Sequence, residues 1–366
     1  MNSMLIKGNN LDVLEYLKKD YSGIIDLVYI DPPFNTSQVF SVDKERVSTI
    51  SRSKNNEVVA YDDRFSREDY LAYMKQVTKK LHTLMSDAGT LYLHIDCNFN
   101  HYLRVILDEV FGYQNFMNEI ARIKCNPKNS KRKAWGNNHD IILVYAKNKG
   151  KNIWNEVRLI RESDKKRFKK QDEHGFYTTV PLHAPGETQN GDTGKPWHGM
   201  NPPAGRHWRV SPTELTQLDK AGKIEWSKTG NPRMKKYFDD YKGSLAQDTW
   251  LDYKDPQNPT YPTQKNAEML ELIVKQSSNE NSIVLDCFSG SGSTLVSAVK
   301  TGRTFIGIDK SDVAIKVAKD NLREQGEVQF DCVDFSQLGE LGANNSLLTN
   351  DLLRSKTQCA KCKFSA

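Results

Sequence analysis

Asp26-Leu27-Val28-Tyr29-Ile30-Asp31-Pro32-Pro33-Phe34-Asn35-Thr36 is the stretch around which the rest of the chain is organised. Asp26 to Ile30 is nearly all apolar and rich in β-branched and aromatic residues, the profile of a strand buried on both faces in a parallel sheet. An acid, two prolines and an aromatic then arrive together. Proline has no N–H to give to a ladder and pushes the residue before it out of the helical region. The strand therefore stops, and Asp31 and Phe34 stand at its carboxyl end, where open α/β sheets bind ligands. A proline-rich turn leaving a strand is the plain alternative, and a second signature far along the chain weakens it.

That second signature begins at Asn281 to Leu285, another short apolar strand, which runs into Asp286-Cys287-Phe288-Ser289-Gly290-Ser291-Gly292-Ser293-Thr294. A helix to about Thr301, a strand Thr304 to Ile308, Asp309 and a helix over Asp312 to Glu324 complete a Rossmann-like half. Small residues in such a turn let the backbone approach a ligand, and an acid after the second strand binds ribose hydroxyls. The nicotinamide-dinucleotide fingerprint wants a third glycine where Leu295 stands, and there is no phosphate-binding Gly-Lys-Ser/Thr. Asp286, just before the turn, instead suits a ligand amino group.

The N-terminal part alternates in the same way. A strand from Met4 gives way to Gly8-Asn9-Asn10 and a helix with Leu11, Leu14 and Leu17 on one face. Ser66 caps a helix to Leu84 with Leu71, Met74, Val77 and Leu81 in its stripe, Asp87-Ala88-Gly89 ends it, and Thr90 to Ile95 is a strand. Phe99 to Val110 reads as a helix closed near Gly112, and Ile141 to Ala146 as a strand led in by Asn138-His139-Asp140. His139 reads as structural. Residues 37–64 are polar without a period, and a loop of that length beside such a strand reads as a mobile lid. The fold expected is α/β, Rossmann-like and doubly wound, with a mostly parallel sheet.

Composition bounds the class. The 366 residues carry a net charge of +6 and a mean hydropathy of −0.67, with no run long and apolar enough to span a bilayer. A soluble, cytoplasmic protein with no membrane partner is expected. Basic charge is concentrated between residues 121 and 240, which hold 25 Lys and Arg against 13 Asp and Glu, as expected of a segment lying on phosphates. From Lys147 to Asp255 long helices vanish and Gly, Pro and Trp multiply. Trp197-His198-Gly199-Met200-Asn201-Pro202-Pro203-Ala204-Gly205-Arg206-His207-Trp208-Arg209 mixes aromatic and basic residues, which suits base and phosphate contact and equally a small tryptophan core. None of the six cysteines follows a proline, so the Pro-Cys nucleophile of cytosine C5 chemistry is absent. Cys359 and Cys362 make one Cys-x-x-Cys with no second pair facing it, so no metal is expected.

Asp31-Pro32-Pro33-Phe34 resembles the catalytic motif of DNA methyltransferases that modify exocyclic amines. With Asp286–Gly292 following it in the chain, the whole resembles the β class of these enzymes, circularly permuted so that the catalytic motif precedes the cofactor motif. Tyr261-Pro262-Thr263-Gln264-Lys265 resembles the family motif before the cofactor strand, and Gly307-Ile308-Asp309 the ribose-binding motif. The similarity covers about Leu5 to Glu327. Cys287 stands where proline is usual, and Asn10 where aspartate is common. The resemblance implies a site-specific, S-adenosylmethionine-dependent adenine-N6 methyltransferase of restriction-modification type acting on double-stranded DNA by base flipping. A cognate restriction endonuclease and a homodimer are further implied partners.

By the same resemblance Asp31, Pro32, Pro33 and Phe34 are catalytic. Asn10, Asp31, Thr263, Lys265, Asp286, Phe288, Ser289, Gly290, Gly292, Thr294 and Asp309 hold the cofactor, with Thr263 and Lys265 at its carboxylate. Residues 1–146 are then the catalytic half, 147–255 the target-recognition region, 256–336 the cofactor half and 337–366 a tail. Arg206 and Arg209 are the expected base readers, and Lys165, Lys166, Lys169 and Lys170 the expected phosphate contacts. Methylation of cytosine N4, where Ser more often replaces Asp31, and a catalytically inactive DNA-binding module are the rival readings. A nicotinamide oxidoreductase would leave Asp31 to Phe34 without a role.

Overall fold

Strands of alternating or continuous apolar residues assemble into one nine-stranded sheet. Its members are β1 (Ser3–Lys7), β2 (Ile25–Ile30), β3 (Met85–Ile95), β4 (Phe116–Ile123), β5 (His139–Ala146), β6 (Thr249–Trp250), β7 (Ile283–Asp286), β8 (Thr304–Asp309) and β9 (Phe330–Asp334). A computed structural model describes residues 2–33, 39–42, 47–48, 58–62, 66–127, 131, 133–257 and 264–336. The spatial order is β6-β4-β5-β3-β2-β7-β8-β1-β9, and only β5 runs against its neighbours. Phe34, Thr263, Cys359, Cys362 and the tail from 337 lie outside the described residues.

Six helices cover this sheet: α1 (Asn10–Tyr21), α2 (Arg67–Leu84), α3 (Asn100–Phe111), α4 (Ala267–Ser277), α5 (Ser293–Lys300) and α6 (Asp312–Arg323). The starts of four are set by side-chain caps that satisfy otherwise orphaned N–H groups. Asn9 accepts from Leu11 N, Ser66 from Asp69 N, Asn266 from Met269 N and Ser311 from Ala314 N. α1 packs on α2 and α2 on α3, while α4 packs on α5 and α5 on α6. Val28, Ile30, Leu91, Leu93, Leu285 and Ile308 join the first group in one core, with Val13, Leu14, Met74, Val77, Leu81, Leu103 and Leu107 from the helices. Strand alternation turns Leu27, Tyr29, Asp31, Tyr92, His94 and Asp286 the other way. Tyr92 shares a 2.8 Å hydrogen bond with Ser277 at the end of α4.

Two local expectations need correction. Helix α2 ends at Leu84, and β3 begins at Met85 rather than Thr90. Its register against β2 jumps between Ile25↔Met85 and Leu27↔Thr90, so Asp87-Ala88-Gly89 lies in a strand irregularity, not at a helix end. Gly89 is needed there because a Cβ would meet Ser86 O at 2.9 Å and Ile25 O at 3.0 Å. Within the segment 37–64 read as a lid loop, Val39–Val42, Val47–Ser48 and Val58–Asp62 are strands of a three-stranded antiparallel sheet, and the rest of it lies outside the described residues.

The chain divides into two compact units, one of residues 1–157 with 247–366 and one of Arg158–Ala246. The second has a four-stranded antiparallel sheet, in the order Lys170–Asp172, Gly175–Pro181, Pro232–Tyr237, Ile224–Trp226, and a hairpin of His183–Pro185 with Arg206–Trp208. Helix Pro212–Lys220 starts with a Ser211 cap and proline in its first turn. Trp197 and Trp208 are core residues of this unit with Leu182, Leu215, Ile224 and Met234. Both indole N–H groups are bonded internally, to Thr216 Oγ1 at 3.0 Å and Lys195 O at 2.9 Å. The tryptophan-core reading of this run therefore holds for Trp197 and Trp208.

Candidate active site

The carboxyl ends of β2, β7 and β8 lie side by side, so Asp31, the turn after Asp286, and Asp309 are brought to one edge although 278 positions separate the first from the last. Gly292 takes a left-handed conformation (φ 75°) at the start of α5. A Cβ there would lie 2.9 Å from Ala318 Cβ, which ties the turn closely to α6. The third glycine of the dinucleotide pattern is replaced from across the contact. The gap between helix and strand is supplied by the strand: a Cβ on Gly307 would sit 2.4 Å from Leu295 Cδ1. Gly307→Ala is expected to destabilise the fold by about 1–3 kcal/mol, the scale of overpacking. Thermal unfolding measures it, and an unchanged midpoint would show that Leu295 has room to move.

Asp286 is fully enclosed, and its Oδ1 accepts from Phe288 N–H at 3.0 Å. Burial pushes its carboxyl up to about 7, against the hydrogen bonds from Phe288 and Thr294. A buried carboxyl so perturbed at a strand end is a candidate functional group. Asp309 accepts Gly290 N–H on Oδ2 and Ser311 N–H on Oδ1, both at 2.9 Å. It therefore braces the glycine turn, and burial raises its pKa too. Ser289 is buried, and its Oγ has no partner among the described residues.

Asn10, at the start of α1, is buried and donates to Cys287 O at 3.4 Å. Its Oδ1 accepts the hydroxyl of Tyr73 at 2.8 Å, and the Tyr73 ring lies edge-on to Phe288 with centroids 6.4 Å apart. Tyr73 has no signature in sequence beyond its place in an amphipathic helix.

Asp31 is paired through Oδ2 with Lys265 Nζ at 2.5 Å, and both side chains are largely enclosed. Its Oδ1 is buried with no partner among the described residues. Pro32 is buried and Pro33 half-buried behind it. A polar row continues along the same face of the sheet. Tyr29 Oη lies 2.8 Å from His94 Nδ1, and His94 Nε2 faces Asp140 Oδ2 at 3.5 Å. Burial lowers the His94 pKa. Burial opposes the Asp140 carboxylate, yet hydrogen bonding to His94 and the Lys124 ammonium hold it well below the usual range. Arg122, fully buried, donates to Tyr253 O at 2.8 Å and pairs with Asp255. His94 and Arg122 carried no functional sequence signal.

In the second unit, Arg206 and Arg209 are both exposed. Arg206 Nη1 lies 3.3 Å from His183 Nδ1, and Arg209 donates to Pro181 O at 3.0 Å. Together with Arg233, and after the effect of burial, they lower the pKa of His183, so the three guanidinium groups form one positive patch. Lys165 is paired with Glu162 and Lys170 with Glu225, whereas Lys166 and Lys169 are exposed.

Two acids, Asp286 and Asp309, and a glycine turn opening a helix thus stand at the carboxyl ends of adjacent strands, beside Asp31, which is held separately by Lys265. The chain belongs to the N6/N4 DNA methylase family, whose profile, described as DNA methylase, matches residues 25–320. A methyltransferase-domain profile matches residues 278–364. The type II methyltransferase M.EcaI of Enterobacter cloacae is 42% identical over 299 residues, 79% of this chain and 63% of that protein. The type III restriction-modification enzyme EcoP15I Mod subunit of Escherichia coli is 25% identical, covering 84% of this chain and 60% of its own. The chain thus spans less than two thirds of the length of either relative. A solved structure of the Thermus thermophilus DNA modification methylase TTHA0409 with S-adenosyl-L-methionine is 15% identical with a TM-score of 0.48, covering 91% of this chain and 98% of that one. No helix among the described residues is long and apolar enough to cross a membrane.

Proposed function

We propose that the chain transfers a methyl group from S-adenosylmethionine to the N6 amine of an adenine flipped out of double-stranded DNA. The observation that carries this is Asp31: one oxygen fixed by Lys265, the other buried and unpaired among the described residues, beside the crevice of Asp286 and Asp309. The residues present fit the cofactor. Asp286 would offer a buried carboxylate to its ammonium, Asp309 would take the ribose, Asn10 with its neighbours Tyr73 and Phe288 would take the adenine, and Ser289 Oγ is a further polar group without a partner among the described residues. Bound there, the cofactor supplies a methyl group activated on a sulfonium.

What the chain contributes is set by the amine. Its lone pair is delocalised into the base ring, so the nitrogen must become tetrahedral before it attacks. Asp31 Oδ1 accepts one amine N–H and the Pro32 carbonyl the other, contacts that strengthen as the nitrogen changes shape. The family resemblance assigns stacking on the extruded base to Phe34, which lies outside the described residues. Asp31 where Ser is frequent in cytosine-N4 enzymes favours adenine. M.EcaI is described as a type II methyltransferase and EcoP15I Mod as a type III restriction-modification subunit, which supports a restriction-modification role with a cognate nuclease as partner.

Arg158–Ala246 is the target-recognition unit in this reading. Losing a base-reading Arg206 or Arg209 is expected to cost about 1–3 kcal/mol on the cognate duplex alone. Equal losses on cognate and random duplex would make both phosphate anchors. DNA methylated by the purified chain, digested to nucleosides and analysed by mass spectrometry, tests the function. N6-methyladenine is expected, N4-methylcytosine as sole product would move the enzyme to the rival specificity, and no methylated nucleoside would remove the function.

A further inference from the structure

We propose that Lys265 is a positioning residue of the transfer step, holding Asp31 by one oxygen so that the other is presented to the amine. The inference rests on the function proposed above and departs from the cofactor-carboxylate role that the family resemblance implies for Lys265. Lys265 Nζ lies 2.5 Å from Asp31 Oδ2, with 7% of the lysine side chain and 15% of the aspartate side chain exposed. A lysine so far withdrawn from water gives up solvation and the freedom of four torsions, and an ion pair with excellent geometry is what offsets that. The backbone behind it is fixed as well. Asn266, the next residue, caps α4 through Met269 N and donates to Lys254 O at 2.9 Å.

The consequence falls on Asp31. A carboxylate beyond the end of a strand can turn about two torsions, and a contact on Oδ2 removes most of that freedom. Oδ1 then remains buried with no donor among the described residues, a state that is unfavourable until an N–H arrives. The incoming amine supplies one. Among the described residues, Tyr29 on β2, His94 on β3 and Asp286 on β7 also interact electrostatically with Asp31. Of these only Asp286 carries a full charge when its carboxyl is ionised, and it repels Asp31. Among the described residues Lys265 is therefore the cation that sets where Asp31 points.

The two roles for Lys265 separate in a measurement on the full chain. Cofactor affinity is read by titration calorimetry with S-adenosylmethionine. The transfer rate is read in a single turnover at saturating cofactor on a duplex that the wild type methylates. Lys265→Met is expected to lower that rate by roughly a hundredfold, the effect of losing a preorganised electrostatic contact, with cofactor affinity changed by less than about threefold. Lys265→Arg, which keeps the charge with a different reach, is expected to recover part of the rate. Lys265→Gln replaces the Met variant if that one fails to fold. A rate at saturating cofactor within about threefold of wild type overturns the inference, whatever happens to affinity, and a tenfold weaker cofactor at full rate assigns Lys265 to the cofactor. A wild-type chain that methylates no DNA overturns the proposed function instead, so the two failures are told apart.

Discussion

Asp31→Ala is expected to lower methyl transfer by about 10³-fold, the upper range for removing one preorganised contact to the reacting group, while S-adenosylmethionine affinity stays within about threefold. The separation follows from the geometry. In the proposed reading Asp286, Asp309, Asn10 and the turn before α5 would hold the cofactor, whereas Asp31 is engaged with Lys265. Removing the carboxylate takes away the buried counter-ion of Lys265, so some loss of thermal stability accompanies the loss of rate. Asp31→Asn controls for this, since an amide keeps the shape and one acceptor but not the charge. Single-turnover transfer and calorimetric affinity on both variants check it. More than a tenth of wild-type rate in the alanine variant would remove Asp31 from the chemistry.

The affinity for S-adenosylmethionine is expected to fall as the pH drops below about 7, approaching tenfold per pH unit. The cause is Asp286, whose carboxyl burial pushes up to about 7 from an ordinary 3.8. Below that pH the free protein holds a proton there, and a cationic ammonium must displace it, so binding releases a proton. Above it the carboxylate is already charged and affinity levels off. The linkage for stability has the opposite sign. The folded, cofactor-free chain binds a proton that the unfolded chain has lost, so this contribution is full below about pH 4 and is lost as pH rises through about 7. Calorimetry in buffers of different ionisation enthalpy counts the proton. Asp286→Asn is expected to bind weakly at every pH, and a variant that keeps the wild-type pH slope would place the titrating group elsewhere.

What was legible in the sequence, and what was not, divides along a physical line. Asp26 to Pro33 and Asn281 to Thr294 were readable because a buried parallel strand is a continuous apolar run and its end is marked by residues that forbid continuation. The cap at Ser66 was readable for a similar local reason. Strand β4 was not read, because Phe116–Ile123 carries Asn118, Glu119 and Arg122, and a buried Arg122 makes sense only with Asp255 and Tyr253 from about 130 positions away. The direction of β5 was equally closed, since periodicity carries no polarity. Tyr73 and the pairing of Lys265 with Asp31 are contacts between distant segments. The basic run at Lys165 to Lys170 shows the converse, for Lys170 meets Glu225 only once the second unit has folded, and Lys165 turns to Glu162 within its own short helix.

The neighbour relation of β2 and β7 bears on how the protein is made. Val284 pairs with Leu27 and Leu285 with Val28, so the middle of the sheet is closed by segments more than 250 residues apart. On a ribosome, β2 emerges early and waits with one edge unpaired until β7 follows. At about 5–20 residues per second that wait is roughly 10–50 s. During it the row of N–H and C=O groups on β2, flanked by Val28, Tyr29 and Ile30, is an open template for another nascent chain. Contacts this distant in sequence also slow the final closure. Yield in a heterologous host is therefore expected to respond to temperature and chaperone supply during translation.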